Sequence, residues 1–346
     1  MSIEFKKIRS QVRLINPFKN HALDEIPFEI RFDPLTGETG RVFDLPFRAE
    51  KPDVVDIVER SKKIFCPFCP ETLEKSTPEF PRDFIPEGRI RVGDASLIPN
   101  LAPFEKYAAV AILSPEHFIP MEALDPEKMH DAFSASLLFL KKASRFDPLV
   151  RFFSINWNYM PPAGSSMVHA HLQPNAGEVP TNEQRLQFEG CRKYRLETGR
   201  DFWSDYIEME KREGERYLAE IGASFWSLNF VPFSFLPDVR CIFPERRSLL
   251  HFEEEDIQCF LDGLSKVLQF FVEENVYSFN VSIFSSKEEG THRVNARICP
   301  RLHPRPIGNS DIAYPQMMYK ESFTVRPPEA FCASMKGFFR GDQFRV

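Results

Sequence analysis

The sequence has no apolar run approaching the ~20 residues that cross a bilayer, so no membrane anchor is expected. Residues 1–18 are studded with Lys and Arg and lack the apolar core of about 7–15 residues that marks a signal peptide. Net charge is −6, and no basic block stands out beyond short pairs such as Arg246-Arg247. That argues against a nucleic-acid partner, because holding a phosphate backbone needs a concentrated cationic face. There is no P-loop, no G-x-G-x-x-G and no H-E-x-x-H, which removes Walker-type NTPases, Rossmann dehydrogenases and zincin proteases. Cysteine is scarce, with 7 in the chain, and only Cys66 and Cys69 lie close together. Cys191, Cys241, Cys259, Cys299 and Cys332 are scattered, so a disulfide framework is not expected. A cytoplasmic, reducing compartment is, and there a close cysteine pair reads as a metal site.

What is present is a globular composition, 42% hydrophobic with 35 phenylalanines and no low-complexity tract. The 346 residues leave room for two domains of about 150 residues, or for one duplicated unit. An internal echo favours the duplication. Residues 107–118 read as a strand ending in a Pro-containing turn. A helix follows, with Asp125 as N-cap, Pro126 at the first position and Met129, Phe133, Leu137 and Leu140 on one stripe. Then come a β-rich run at 151–158, a Pro/Gly/Ser loop and the segment Val168-His-Ala-His-Leu-Gln-Pro174. The same order returns at 239–248, in a stripe of Ile257, Phe260, Leu264, Leu268 and Phe271, at 279–284 and at 294–300. Val168/Val294, Ala170/Ala296 and Pro174/Pro300 share a spacing of 126 residues. The expectation is an α+β protein of two half-barrel-like modules, antiparallel sheets with flanking helices, over residues 1–178 and 179–346. The second copy has lost its histidines and would serve as scaffold and substrate pocket. Between the copies, residues 178–222 are polar and read as helical through 200–220; residues 325–335 read as a last helix.

The histidine segment carries the chemistry. Side chains two apart on a strand share a face, so His169, His171 and Gln173 would project together while Ala170 and Leu172 pack inward. Upstream lies Pro161-Pro-Ala-Gly164-Ser165-Ser166, a loop able to bring backbone N–H groups to a phosphate oxygen. A histidine held through one nitrogen presents a lone pair on the other, a nucleophile toward phosphorus. An isolated H-x-H is more often two satisfied strand histidines; its surroundings decide otherwise here. Cys66-Pro-Phe-Cys69 can give two ligands to one Zn²⁺, and a tetrahedral structural site needs two more. With 8 histidines in the chain the candidates are few: His117 in Ser114-Pro-Glu-His117, and His169. A redox pair is the alternative, without a thioredoxin-like context around it.

Arg31-Phe-Asp-Pro-Leu-Thr-Gly37, Arg48-Ala-Glu-Lys-Pro52, Cys66-x-x-Cys69, Asn100, Ser114-Pro-Glu-His117 and Asn158-(x)5-Gly164-Ser-Ser166-(x)2-His169-Ala-His171-Leu-Gln173 together resemble the galactose-1-phosphate uridylyltransferase family. That branch of the histidine-triad superfamily includes ADP-glucose phosphorylases and is related to diadenosine-tetraphosphate phosphorylases. The resemblance is strong over residues 28–178, with Pro300-Arg-Leu and Val325-x-Pro-Pro-Glu329 as later landmarks. It implies His171 as the nucleophile that becomes nucleotidylated and Gln173 as its hydrogen-bonding partner on the phosphoryl group. It places Arg48, Asn100, Asn158, Gly164, Ser165 and Ser166 at phosphate or nucleotide contacts, or in the loop that makes them. It makes Cys66, Cys69, His117 and His169 the ligands of one structural Zn²⁺, in a chain that resembles frequently dimeric enzymes with shared sites. The glutamine has its own logic. A sugar phosphate leaves as a stable anion needing little protonation, and an amide offers water no general base, so transfer is favoured over hydrolysis.

The chain departs from the family's pattern in its second half. The second C-x-x-C position reads Asp201-Phe-Trp-Ser204, the second turn Pro244-Glu-Arg-Arg247, and the H-x-H echo Asn295-Ala-Arg297, with His292 and His303 off register. One zinc is therefore expected, not two. Lys51 stands where many relatives have a second arginine, and residues 307–316 do not match a sugar-recognition segment. The leading expectation is UMP transfer between UDP-glucose and a hexose 1-phosphate such as galactose 1-phosphate. The alternative is a phosphorylase of ADP-glucose or a dinucleoside polyphosphate with orthophosphate as acceptor. A non-catalytic nucleotide-binding module is the reading from another class, and a hydrolase the remaining one.

Overall fold

The computed structural model describes residues 3–50, 53–287, 290–302 and 310–340. An N-terminal hairpin, β1 (Lys7–Asn16) and β2 (Ala22–Phe32), is extended by β3 (Thr39–Phe43). Helices α1 (Val54–Ser61) and α2 (Pro70–Ser76) lead into strands β4 (Ile90–Val92), β5 (Ala95–Pro99) and β6 (Tyr107–Ile112). Helix α3 (Pro126–Phe146) and strands β7 (Phe152–Tyr159) and β8 (His171–Gly177) complete the first half. The second half begins with α4 (Asn182–Thr198) and α5 (Phe202–Glu213). Strands β9 (Tyr217–Ile221), β10 (Ser224–Leu228) and β11 (Val239–Ile242) follow, then α6 (Glu254–Glu273), β12 (Ser278–Ser286) and β13 (Asn295–Arg301). A short β14 (Ser322–Thr324) and α7 (Pro328–Arg340) end the described chain.

Ten strands make one sheet in the order β4-β5-β6-β8-β7-β12-β13-β11-β10-β9. Read inward from either edge, the strands come in the same sequential order, with the last two exchanged. The halves meet where β7 and β12 pair antiparallel, from Phe152 opposite Ser286 to Tyr159 opposite Phe279. The α+β fold thus shows the echo read from the sequence, with one adjustment of register. Leu113 N–H donates to the Ala170 carbonyl at 3.0 Å, and Phe243 N–H donates to the Val294 carbonyl at 2.9 Å. β8 and β13 also start and stop at matching points, so His171 aligns with Asn295 and Gln173 with Arg297, a spacing of 124 residues rather than 126. The hydrophobic matches two residues away had set the spacing too long.

Alternation along the strands gives the sheet two unlike faces. Phe153, Ile155, Trp157 and Tyr159 of β7 and Val281 and Ile283 of β12 are buried in a core shared with α3 and α6. Asp125 caps α3, accepting from Lys128 N–H at 2.9 Å, and the stripe Met129, Phe133, Leu137 and Leu140 is buried as expected. α3 reaches α6 through Phe133 and Phe260, whose ring centroids lie 5.5 Å apart. Truncating such a residue to Ala costs about 2–5 kcal/mol, so this face fixes the sheet that carries the site. The intervening residues, Asn156, Asn158, His171, Gln173, Asn280, Ser282 and Arg297, fall by alternation on the opposite face.

Several sequence expectations shift. The polar linker is helical earlier than read, at α4 and α5, and turns to strand at Tyr217, where helix was expected to run on. There Phe202, Trp203 and Tyr206 bury against Phe225 and Ile242 on the sheet's second face. The last helix starts at Pro328, not at 325, because residues 322–324 pair as a strand with β3. The small sheet β1-β2-β3-β14 was not foreseen, since its partner strand lies some 280 residues away from β3 in sequence. It is fastened by buried Arg31, which donates to both carboxylate oxygens of Glu329 at 2.8 and 2.9 Å.

Candidate active site and metal cluster

Strand β8 begins at His171, so His169 sits in the preceding turn and not on the strand as its spacing suggested. The two histidines are consequently used differently. His171 Nδ1 lies 2.8 Å from the His169 carbonyl, and a carbonyl can only accept. The proton is therefore on Nδ1, and Nε2 carries the lone pair. Nε2 has no hydrogen-bond partner among the described residues. Burial lowers the pKa of this imidazole and keeps it neutral, with the bond to the His169 carbonyl opposing in part. Phe68 covers the ring edge-on at 5.3 Å between centroids, leaving His171 6% exposed. Gln173, two residues on, is half-buried, and its side-chain amide is unpaired among the described residues.

His169 turns the other way, with Nδ1 3.6 Å from Cys66 Sγ and 3.9 Å from Cys69 Sγ. His117 Nδ1 lies 3.3 Å from Cys69 Sγ, and all four ligand atoms fall within 4.8 Å of one another. Each imidazole is oriented from behind. His169 Nε2–H donates to the Ser114 carbonyl at 2.8 Å, and His117 Nε2 lies 3.0 Å from Ser61 Oγ. The Ser61 hydroxyl hydrogen goes to the Val58 carbonyl at 2.7 Å, so Ser61 accepts from His117. Both Nδ1 atoms thereby present lone pairs to the cysteines, the outer-shell arrangement that metal-binding histidines use. Burial and the Cys66 sulfur push the Cys69 thiol up to about 11, and burial lowers His169 to about 4. Two imidazole Nδ1 atoms facing two crowded sulfurs are a donor set that a cation would complete. Tetrahedral bonds of about 2.3 Å to sulfur and 2.0–2.1 Å to nitrogen would space the ligands about 3.6 Å apart, which these distances match.

The loop entering this region is shaped by its glycine. Gly164 has φ +87°, open to glycine and strained for other residues, and ends the turn Pro161–Ala163. Ser165 is buried and spends its hydroxyl on the Met167 carbonyl at 2.6 Å, whereas Ser166 is exposed. Asn158 on β7 accepts at Oδ1 from Asn280 Nδ2 at 2.7 Å. Among the described residues, Asn100 and Arg48 make no hydrogen bond or ion pair with this group. Asn100 Oδ1 accepts from Ala102 N–H at 2.9 Å and so caps its own turn. Arg48 is exposed and makes no ion pair among the described residues. Lys51, His303 and residues 307–309 lie outside the described residues.

Beside Asn158 opens a cavity of about 410 Å³, lined further by Phe233, Asn280, Arg297, Arg301 and Asp311. Its charges are matched internally. Arg301 forms a two-pronged pair with Asp311, with bonds of 2.7–3.0 Å, and Arg297 lies 3.3 Å from Asp238. Little in the chain's pattern signals these residues beyond the alternation of Asn280 and Ser282 with apolar neighbours. Ser61 carried no signal at all, because its partner is 56 positions away.

No family model matches the chain. An uncharacterized protein of Archaeoglobus fulgidus is 30% identical over 333 residues, covering 95% of this chain and 98% of that protein. Among solved structures, an ADP-glucose phosphorylase from Arabidopsis thaliana with bound ADP-glucose superposes with a TM-score of 0.68 at 18% identity, over 89% of this chain and 98% of that one. A GalT-like protein from the same plant gives 0.67 at 18% identity, again over 89% and 98%. A uridylyltransferase mutant gives 0.64 at 16% identity, over 92% and 99%.

Proposed function

The chain belongs to the family of the Archaeoglobus fulgidus protein and has the fold of uridylyltransferases and ADP-glucose phosphorylases, and on that premise we propose a nucleotidyltransferase that works through a nucleotidyl-histidine intermediate. The observation that carries this reading is the tautomer of His171, proton on Nδ1 and lone pair on an Nε2 with no partner among the described residues. In the first step Nε2 attacks the α-phosphorus of a nucleoside-diphosphate sugar. A P–N bond forms, the bond from that phosphorus to the bridging oxygen breaks, and the sugar 1-phosphate leaves with the electron pair. In the second step a phosphate oxygen of the acceptor attacks the same phosphorus, the P–N bond breaks and the imidazole is restored. Gln173, two residues along the strand from His171, donates to the phosphoryl oxygens without supplying a base for water. Arg48, Ser166 and the backbone of the Gly164 loop neutralise or bond the phosphates; Asn158 takes a ligand oxygen, and Asn100 shapes the nucleotide end.

Cys66, Cys69, His117 and His169 hold one zinc ion, whose role is to fix the turn before β8. The nucleophile's Nδ1 bonds to the carbonyl of one ligand, His169, so this turn sets the direction of the lone pair. Residues 1–178 supply the nucleophile and metal, and residues 179–346 the scaffold and pocket wall. The default substrates are UDP-glucose and a hexose 1-phosphate such as galactose 1-phosphate. Orthophosphate as acceptor, with ADP-glucose or a dinucleoside polyphosphate as donor, is the second reading. The segment at 307–316, which does not match a sugar-recognition segment, favours it; in its described part Asp311 is already paired with Arg301 through both carboxylate oxygens.

Intact mass after incubation with UDP-glucose and with ADP-glucose tests the proposal. A gain of one UMP or AMP, acid-labile and absent from His171→Gly, is expected, and the mass identifies the base. Offering hexose 1-phosphate or orthophosphate to the adduct then separates the two acceptors. A His171→Gly enzyme with full turnover would remove the nucleophile from the mechanism.

A further inference from the structure

Resting on the reading above, we propose that Asn280, from the second half, is a positioning residue that fixes which end of the Asn158 amide faces the substrate. The two ends of an asparagine amide are similar in shape, so their assignment must come from partners of fixed character. Two such partners flank Asn280. Its Nδ2 lies 2.9 Å from the Ala163 carbonyl, which can only accept, and its Oδ1 lies 2.8 Å from Arg301 Nη1, which can only donate. The orientation of Asn280 is therefore settled from both sides. Its Nδ2 also faces Asn158 at 2.7 Å, so the atom of Asn158 receiving it is Oδ1.

Asn158 Nδ2 is what remains. It makes no hydrogen bond among the described residues, and Asn158 lines the cavity of about 410 Å³. The amide thus presents two N–H donors to the site and withholds its acceptor. Such an end takes an oxygen that accepts, a phosphoryl oxygen or a sugar hydroxyl, and rejects a ligand group that can only donate. Arg301 is itself held by Asp311, so the polarity runs from residue 311 through 301 and 280 to 158. The same Nδ2 that orients Asn158 also grips Ala163, directly before Gly164. One side chain of the second half therefore sets both an amide on β7 and the entrance of the phosphate loop.

The contrast with Asn156, one step along the same face, sharpens this. Asn156 donates to the Ser154 hydroxyl at 2.9 Å and to the Gln173 carbonyl at 3.0 Å, and accepts from Ser282 at 2.9 Å. Both N–H donors of Asn156 are spent within the protein, whereas those of Asn158 are unused among the described residues.

The test is Asn280→Asp, near-identical in size but unable to donate. Asn158 then turns its Nδ2 toward the new carboxylate and shows its oxygen to the site, and that carboxylate repels the Ala163 carbonyl. Single-turnover formation of the His171 adduct from UDP-glucose or ADP-glucose is expected to slow about 100-fold, the lower end of what a lost oxyanion donor costs. The loss is expected in the adduct rate and kcat, with metal content and unfolding temperature close to wild type. In an Asn158→Ala background the same change should cost far less, because the two act through one contact. Wild-type adduct rates in Asn280→Asp, or effects that simply multiply with those of Asn158→Ala, overturn the proposal. Should Asn280→Asp not fold, Arg301→Lys removes the Nη1 donor while keeping a cation beside Asp311. It should slow the adduct rate about 3- to 10-fold, a weaker form of the same loss, and an unchanged rate there also overturns the proposal. Absence of any adduct on the wild-type protein is a different result, which strikes the nucleotidyl-histidine reading itself.

Discussion

The turn leading into β8 and the turn leading into β13 start from the same backbone hydrogen bond, yet they are closed by different chemistry. Before β8, His169 reaches back to the Ser114 carbonyl and forward to Cys66 and Cys69. Before β13 the aligned residue is Arg293. Its Nε donates to the Pro244 carbonyl at 2.5 Å, and Nη2 pairs with Asp201 at 3.2 Å. Asp201 stands at the second C-x-x-C position and also caps α5, accepting from Ser204 N–H at 3.0 Å. Near His117's counterpart, Arg246 pairs with buried Asp256 at 2.9 Å. A cluster of two sulfurs and two imidazoles has become a pair of guanidinium–carboxylate contacts. Both solutions pin a strand to a turn and a helix. They differ in reach: the ion pairs end in helix caps, while the His169 carbonyl holds Nδ1 of His171, the proposed nucleophile.

Four substitutions or treatments probe that difference. Chelation, or Cys66→Ala, should have the largest effect. Loss of a structural zinc removes several kcal/mol of stability, so unfolding temperature should drop steeply and adduct formation should cease. If stripped protein keeps both its unfolding temperature and its adduct rate, the cluster is not what fixes the turn. Arg293→Met should be milder, about 1–3 kcal/mol by chemical denaturation, because one partly buried pair is broken while the first half stays intact. The adduct rate should change less than threefold; a larger fall would show that the second turn also feeds the nucleophile.

His292 gives the next effect, and it depends on pH. It is buried against Phe188, and burial lowers its pKa to about 3. A depressed base is neutral in the fold, and its contribution is complete above its unfolded pKa of about 6.5 and lost as pH falls below it. From pH 6.5 to 5 the loss amounts to about 2 kcal/mol, less any relaxation around the ring. His292→Gln should flatten that part of the stability profile, measured with the metal cluster loaded. An unchanged profile would assign the acid sensitivity elsewhere. Smallest is Ser61→Ala, which frees His117 Nε2 and should weaken metal affinity about 10-fold in a chelator competition, with folding preserved. Unaltered affinity would mean that Ser61 only decorates the ligand.

Much of the first half was legible before any coordinates. The stripe on α3 and its Asp125 cap follow from local periodicity, and Cys66, Cys69, His117 and His169 do converge. What escaped depends on pairing between distant segments. The place of His169 in a turn, the 124-residue register and the β3–β14 pair are set by backbone bonds that no local pattern encodes. The side-chain oxygen of Asn100, a residue expected near the nucleotide, also serves a local turn, as short polar residues readily do. Arg48, expected at a phosphate, has an exposed guanidinium.

The antiparallel seam between β7 and β12 has a consequence for anyone dividing the chain. A fragment ending near residue 178 would keep His171, the proposed nucleophile, and the whole cluster of Cys66, Cys69, His117 and His169. It would also expose the full length of β7 as a raw edge, eight residues alternating large apolar and polar side chains. Such an edge recruits other strands. Severed from its other half, such a piece should aggregate rather than turn over.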